Sequence, residues 1–295
     1  MTNDTRCGFI AIVGRANVGK STLFNALLGE QLSIATNKPQ TTRHNIRGVL
    51  SADNCQLILI DTPGIQLGNK RLISKVLISN ALSCLQDADI ILMLIETDMW
   101  RDEDEYLLKQ IKQVNRPVVL AINKVDRIKD KAALLPMLQK VNTQHEFASI
   151  LPISASHDTN LTELKNELCS RSPVSEFMFS AETVWDRDDA FVVSEIVRGS
   201  AMLQLHKELP YAIYTEVEQL SFAEDLATIS VVIWVEKDSQ KSIVIGKNGS
   251  KLKSIGSFAR AKLEKIYNKK VMLRLWVKVK QNWQDQQDIV SQFKL

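Results

Sequence analysis

A chain of 295 residues, 45% hydrophobic and 24% charged, has room for two domains with their own cores and is too evenly mixed for a disordered or fibrous polypeptide. The formal net charge of +3 hides an uneven distribution, with 13 Lys/Arg against 2 Asp/Glu from Lys237 to Lys280 and 3 against 11 from Ala181 to Glu236. Four scattered cysteines (Cys7, Cys55, Cys84, Cys169) show no close pairs and no metal-ligand spacing, which predicts isolated buried thiols in a reducing cytosol rather than a disulfide scaffold. The start of the chain lacks the basic-then-apolar pattern of a signal peptide, and the most apolar window, Ile90–Ile95, is too short to span a bilayer. The expected location is therefore cytoplasmic.

The first predicted elements are a buried strand Phe9–Val13 and a helix Lys20–Leu28. Between them, Gly14-Arg15-Ala16-Asn17-Val18-Gly19-Lys20-Ser21 has the spacing GxxxxGK[ST] in the strand–loop–helix setting that a phosphate cradle requires. Glycines allow backbone N–H groups to point inward at a helix N-terminus. Lys20 faces the β- and γ-phosphates and the Ser21 hydroxyl is a ligand for Mg²⁺, with Thr22 next in the site. An antiparallel edge at Gly48–Leu50 then turns through Asp53-Asn54 into a buried strand Gln56–Ile60. Asp61-Thr62-Pro63-Gly64 closes that strand, placing Asp61 toward the metal and the Gly64 N–H toward the γ-phosphate. Taken alone, those four residues are an equally good turn.

Helices are predicted over Lys70–Gln86, Asp102–Val114, Asp130–Asn142 and Asn160–Ser170, alternating with strands Asp89–Ile95, Val118–Asn123 and Ile150–Ile153. This is the α/β pattern of a mainly parallel sheet covered by helices on both faces. Asn123-Lys124-Val125-Asp126 closes its strand with a carboxylate able to accept from both the guanine N1–H and the 2-amino group, so Asp126 selects guanine over adenine. Asn123 ties the loops together, the Lys124 stem covers the base plane, and Ser154-Ala155 offers a backbone N–H to the guanine O6. All these segments fall in order at C-terminal strand ends, where α/β sheets bind ligands, and together they specify GTP and GDP.

Beyond Ser170 the pattern changes. Residues 1–171 are expected to form the nucleotide domain, 172–190 a linker with an acidic stretch Glu182–Asp189, and 191–295 a second domain. That domain reads as a helix Val193–Glu208, strands Ile213–Val217 and Thr228–Val235, a short apolar stretch to Ile245, a helix Ser250–Tyr267 and a strand Val271–Lys280. The order α-β-β-α-α-β is a small α+β fold. Ile245-Gly246-Lys247-Asn248-Gly249-Ser250 matches the GxxG loop of a KH domain, in which phosphates approach the main chain and clamp single-stranded RNA. Lys251 and Lys253 extend the basic surface, and the strongly basic surroundings favour RNA over a plain turn. Trp276, in an apolar strand, is expected in the core, while Trp283 is open between core and base stacking. The four histidines fit no catalytic or metal spacing.

Lys38-Pro39-Gln40-Thr41-Thr42-Arg43-His44, the run Gly8–Gly29, the stretch Ile243–Gly256 and the stretch Leu273–Trp283 together resemble the Era family of bacterial GTPases, over nearly the whole chain. The resemblance implies a P-loop GTPase domain followed by a type II KH domain, and slow hydrolysis of GTP to GDP and phosphate with Mg²⁺. It implies that Thr42 completes the metal shell and reports the γ-phosphate, with Lys20, Thr42 and Gly64 as the catalytic set. It also implies binding of the 3′ end of small-subunit ribosomal RNA, assistance to assembly of the small-subunit precursor, and peripheral association with the inner face of the cell membrane without a transmembrane segment. Ile65 stands where many GTPases place a water-orienting glutamine, which keeps open an RNA-binding factor that barely hydrolyses GTP. A basic segment that meets anionic lipid is the other competing reading. Asn17 is similar to the asparagine of K⁺-stimulated relatives, and equally a turn residue tolerating the left-handed conformation. Ala16 replaces a usual proline, Arg198-Gly199-Ser200-Ala201 departs from a usually charged helix, and Gln292–Leu295 lacks a frequent acidic tail.

Overall fold

Runs such as Ile90–Glu96 (IILMLIE), apolar on both parities, can be buried only in a central strand with a helical layer on each face. The computed structural model, which describes residues 5–30, 33–35, 38, 41–97, 100–129, 134–184 and 188–291, builds that arrangement. The chain divides into two compact units, the second spanning Arg187–Gln292.

In the first unit the elements are β1 (Arg6–Val13), α1 (Lys20–Leu28), β2 (Ile46–Ala52), β3 (Cys55–Asp61), α2 (Leu72–Asp87), β4 (Ile90–Glu96), α3 (Asp102–Ile111), β5 (Val118–Asn123), α4 (Leu134–Asn142), β6 (Ser149–Pro152) and α5 (Leu161–Arg171). The sheet order is β2-β3-β1-β4-β5-β6, with β2 antiparallel to β3 and every other pair parallel. The expected edge strand and its turn are thus present, and longer than expected because the register pairs Ile46 through Ala52 with Asp61 through Cys55. Residues 130–133 of the helix expected over Asp130–Asn142 lie outside the described residues.

The second unit runs α6 (Asp189–Gln204), β7 (Tyr214–Phe222), β8 (Leu226–Val235), α7 (Asp238–Ile245), α8 (Ser250–Tyr267) and β9 (Lys270–Val279). Its sheet has the order β7-β8-β9, antiparallel then parallel. One face, with Ile229, Val231 and Ile233, packs under Val197, Ala201, Ile255, Ala259 and Leu263 from the helices. Helix α6 opens earlier than the expected Val193 because Asp188 caps it, accepting from the Phe191 N–H at 2.8 Å. Gly199 lies buried within that helix, and Arg198 beside it pairs with Glu195 at 2.5 Å.

Three expectations are corrected. Cys55, at the start of β3, and Cys169, in α5, are joined by a disulfide across 114 residues of sequence. Only Cys7 and Cys84 are free among the four, so the cysteines no longer argue for a reducing compartment. The segment expected as a linker is tied to the first unit over much of its length: Cys7 N–H donates to Pro173 O, Val49 N–H donates to Val184 O, and the buried Gln56 carboxamide accepts from the N–H groups of Met178 and Phe179. Trp276 is 43% exposed, while Trp283 is fully buried with its indole N–H on Ala212 O at 3.0 Å. Strand alternation explains the first tryptophan, since Trp276 shares parity with Arg274 and Lys278 on the open face of β9.

Candidate functional site

The loop from β1 into α1 is shaped by its backbone. Gly19 has φ +101°, and a Cβ there would stand 2.3 Å from the Asn123 carboxamide, so no other residue fits without displacing that side chain. Asn17 is left-handed, φ 67°, as its turn reading requires. Lys20 is buried and donates to the carbonyls of Gly14 (3.1 Å) and Arg15 (3.0 Å). Burial pulls its pKa down to about 8, against the opposing pull of Asp61. Gly64 comes so close that a Cβ would be 2.7 Å from Ala16 Cα and 3.1 Å from Lys20 Nζ.

At the end of β3, three hydroxyls converge on one oxygen of the buried Asp61. Its Oδ2 accepts from Ser21 (2.7 Å), Ser33 (2.7 Å) and Thr42 (3.0 Å), while Oδ1 is buried with no hydrogen-bond partner. Burial raises the Asp61 pKa despite Lys20 and the hydroxyls. Ser21, Thr42 and Asp61 are hard oxygen donors within 3.0 Å of one another, a set suited to Mg²⁺ completed by phosphate oxygens and water. Among the described residues no cluster of three His, Cys, Asp or Glu offers a self-sufficient metal site. Thr62 anchors the turn through its hydroxyl on Ile12 O at 2.8 Å, and Pro63 leads the chain to Gly64. Ile65 is in the core and exchanges backbone hydrogen bonds with Gly14 and Ala16, so its side chain is turned away from the phosphate loop's mouth.

The third loop follows β5. Asn123 donates to Val18 O at 2.8 Å and accepts from the Ala155 N–H at 3.0 Å, bracing the phosphate loop against the loop after β6. Lys124 is left-handed, φ 68°, and its ammonium donates to Asn17 O at 2.7 Å, which lays the stem across the mouth of the site. Asp126 is exposed and accepts from the Ser154 hydroxyl at 2.5 Å, a bond that lowers its pKa and keeps it charged. The phosphate loop, Thr42, Gly64 and Lys124 line one pocket.

In the second unit, Gly246, Asn248 and Gly249 all have positive φ (73°, 51° and 75°), forming a protruding loop between α7 and α8 with Lys247 and Asn248 exposed. A Cβ on Gly249 would meet nothing within 4 Å, so the main chain there is open to an approaching group. Ile245 and Ser250 flank the loop, Lys251 is half-buried and Lys253 is exposed. A groove runs from Gly249 along α8 to Leu273 and Leu275 of β9, with Lys253 and Arg260 on its rim. The site thus has a basic clamp, exposed backbone and an apolar floor.

Sequence reasoning assembles the phosphate, metal and base residues and misses three neighbours. Ser33 and Glu96 carry no motif, and the structure alone brings them in. His157, which fits no catalytic spacing in the sequence, lies 3.8 Å from the Asp126 carboxylate and beside Ser154 and Ser156. Its position two residues after Ser154-Ala155 is the available signal.

A family model described as "50S ribosome-binding GTPase" matches residues 9–124, and one described as "KH domain" matches residues 208–284. The chain is 43% identical to a protein named GTPase Era from Pseudomonas syringae pv. tomato, covering 96% of this chain and 95% of that one. It is 44% identical to GTPase Era from Coxiella burnetii, covering 98% and 97%. A crystal structure of Era in complex with MgGDPNP and nucleotides 1506–1542 of 16S ribosomal RNA superposes with a TM-score of 0.95 at 36% identity, covering 99% of this chain and all of that one. A crystal structure of an Aquifex aeolicus Era point variant bound to GDP·AlF4⁻ gives the same TM-score and identity.

Proposed function

The chain belongs to the Era family of GTPases, and from that membership we propose a GTP-hydrolysing switch whose KH unit binds the 3′ end of small-subunit ribosomal RNA and assists assembly of that subunit. The observation that carries the switch is the convergence of Ser21 and Thr42 on one oxygen of Asp61, because it joins the helix under the phosphates to the segment that must respond to them. Mg²⁺ held by Ser21, Thr42 and Asp61 neutralises charge on the β- and γ-oxygens. Lys20 leaves the carbonyls of Gly14 and Arg15 to meet those oxygens, and the Gly64 N–H senses the third phosphate. Ile65 is in the core, so the residue after Gly64 brings no side chain to a water beside the γ-phosphate, which supports slow unaided turnover. K⁺ beside Asn17 would add positive charge at the β- and γ-phosphates.

The RNA assignment rests on the exposed Lys247–Asn248 turn and the basic rim of the groove. Although the broad model for the nucleotide unit is described by 50S binding, the relative seen with RNA carries 16S nucleotides, which favours the small subunit. Among the described residues no helix is long and apolar enough to cross a membrane. Peripheral contact with anionic lipid through the same basic face would compete with RNA, and vesicle sedimentation with added oligonucleotide separates the two.

The test is GTP turnover in K⁺ and in Na⁺, with and without a small-subunit 3′-end oligonucleotide. Turnover is expected to rise with both, and no hydrolysis above buffer in any arm would reduce the protein to an RNA-binding factor. Ser21→Ala is expected to weaken fluorescent-GDP binding about tenfold with Mg²⁺ present and to change it little in EDTA. An equal loss in EDTA would remove Ser21 from the metal shell.

A further inference from the structure

The strand order β1-β4-β5 places the end of β4 between the strands whose loops hold phosphate and base. Glu96, the last residue of β4 and the register partner of Asn123, is 9% exposed and reaches both loops. Its Oε2 accepts from Arg15 Nη2 of the phosphate loop at 2.7 Å, and its Oε1 pairs with the Lys124 ammonium of the base loop. Asp104, in the first turn of α3 with its side chain fully buried, accepts from Arg15 Nε at 3.3 Å and from the Arg101 N–H at 3.1 Å. Lys124 also donates to Asn17 O, back in the phosphate loop. Two cations and two carboxylates, buried at Arg15, Glu96 and Asp104 and partly open at Lys124, thus form one chain across the site.

Such a cluster carries a desolvation cost that apolar side chains of the same volume would avoid, so stability alone is a poor reason for it. Its geometry suits another purpose. A single carboxylate divided between two loops fixes the distance between them, and that distance is the one a guanine nucleotide must span from base to phosphates. We propose that Glu96 is a positioning residue that couples the phosphate loop to the guanine loop, with Asp104 holding the far side of Arg15; this rests on the nucleotide-site reading above. When the base draws Lys124 into place, the Glu96 carboxylate carries that restraint to Arg15, and the phosphate loop is set for the diphosphate. Contacts at the two ends of the nucleotide then reinforce each other.

The experiment is a double-mutant cycle on fluorescent-GDP affinity with Arg15→Met and Lys124→Met, read in the native and Glu96→Gln chains. Each substitution keeps an unbranched apolar stem and removes the charge. In the native chain the two effects are expected to depart from additivity at least about threefold, the range for residues sharing one network. In Glu96→Gln they are expected to become additive, and Glu96→Gln alone is expected to speed GDP release about tenfold. Unfolding midpoints of the nucleotide-free variants accompany the cycle, since a merely structural role would lower the midpoints and leave the affinities additive. The native-chain cycle reads the coupling even where Glu96→Gln does not fold. Additive effects in the native chain would overturn the proposal. A native chain that binds no guanine nucleotide would instead overturn the nucleotide reading itself.

Discussion

Asp126→Asn is expected to lower the affinity for GTP by about 2–4 kcal/mol and to move the preference toward xanthosine triphosphate, if the Asp126 carboxylate accepts two hydrogen bonds from guanine. The structure supplies the reason the carboxylate is ready. Its Oδ1 is held by the Ser154 hydroxyl at 2.5 Å, a bond that favours the charged form, and the side chain, in the short turn after β5, is only partly exposed. Asparagine keeps the shape but turns a donor toward the guanine N1–H and 2-amino group. Xanthine carries an oxygen at that carbon and can accept from the new amide. Competition of GTP and xanthosine triphosphate against a fluorescent nucleotide reads both changes. Retention of native GTP affinity would show that specificity resides elsewhere.

The second large effect is expected at the GxxG loop. Replacing Lys247 and Asn248 together by aspartates puts two negative charges where RNA phosphates would approach the open main chain of Gly249. RNA affinity is expected to fall on the order of a hundredfold at low salt, through like-charge repulsion and the lost lysine. The loop itself should survive, because Asn248 is left-handed (φ 51°) and aspartate tolerates that conformation nearly as well. The loss should be similar across oligonucleotide sequences and smaller at high salt, and intrinsic GTP turnover should be unchanged while its stimulation by RNA disappears. Filter binding at two salt concentrations beside a turnover assay measures these outcomes. Undiminished RNA affinity would shift the interface to the basic face of α8.

The legible features of this chain are the ones with a local signature. The strand–loop–helix at Lys20, the closing Asp61, the guanine loop at Asp126 and the turn at Gly246–Gly249 each combine a fixed spacing with an element of clear periodicity. What stays hidden depends on pairing through space. Cys55 and Cys169 meet because α5 packs on β3, which no spacing rule reports across 114 residues. Glu96 is one more acidic residue until the sheet order places it between two loops. Helix α7 is short and half apolar, so the sequence places it only by its turn in the order of elements; the Gln240 carboxamide oxygen that accepts from the Lys237 N–H and the docking of Val244 come from the structure. Trp276 misleads for a different reason: the strand is apolar on average, yet Arg274, Trp276 and Lys278 alternate with Leu273, Leu275 and Val277, and that alternation decides which side chain meets water.

The buried Lys20 makes nucleotide capture an acid–base event. With its pKa near 8 before binding, the side chain is largely uncharged in mildly alkaline buffer. A polyphosphate restores the ammonium, so between about pH 8 and the ordinary lysine value of 10.5 each binding event takes up a hydrogen ion from solution. Affinity should therefore fall above about pH 8, by up to about tenfold per pH unit. Calorimetry at pH 8.5, where the nucleotide phosphates are already ionised, should give binding heats that scale with the ionisation enthalpy of the buffer in the sense of proton uptake. Heats that ignore the buffer there would place the ammonium in the empty site already.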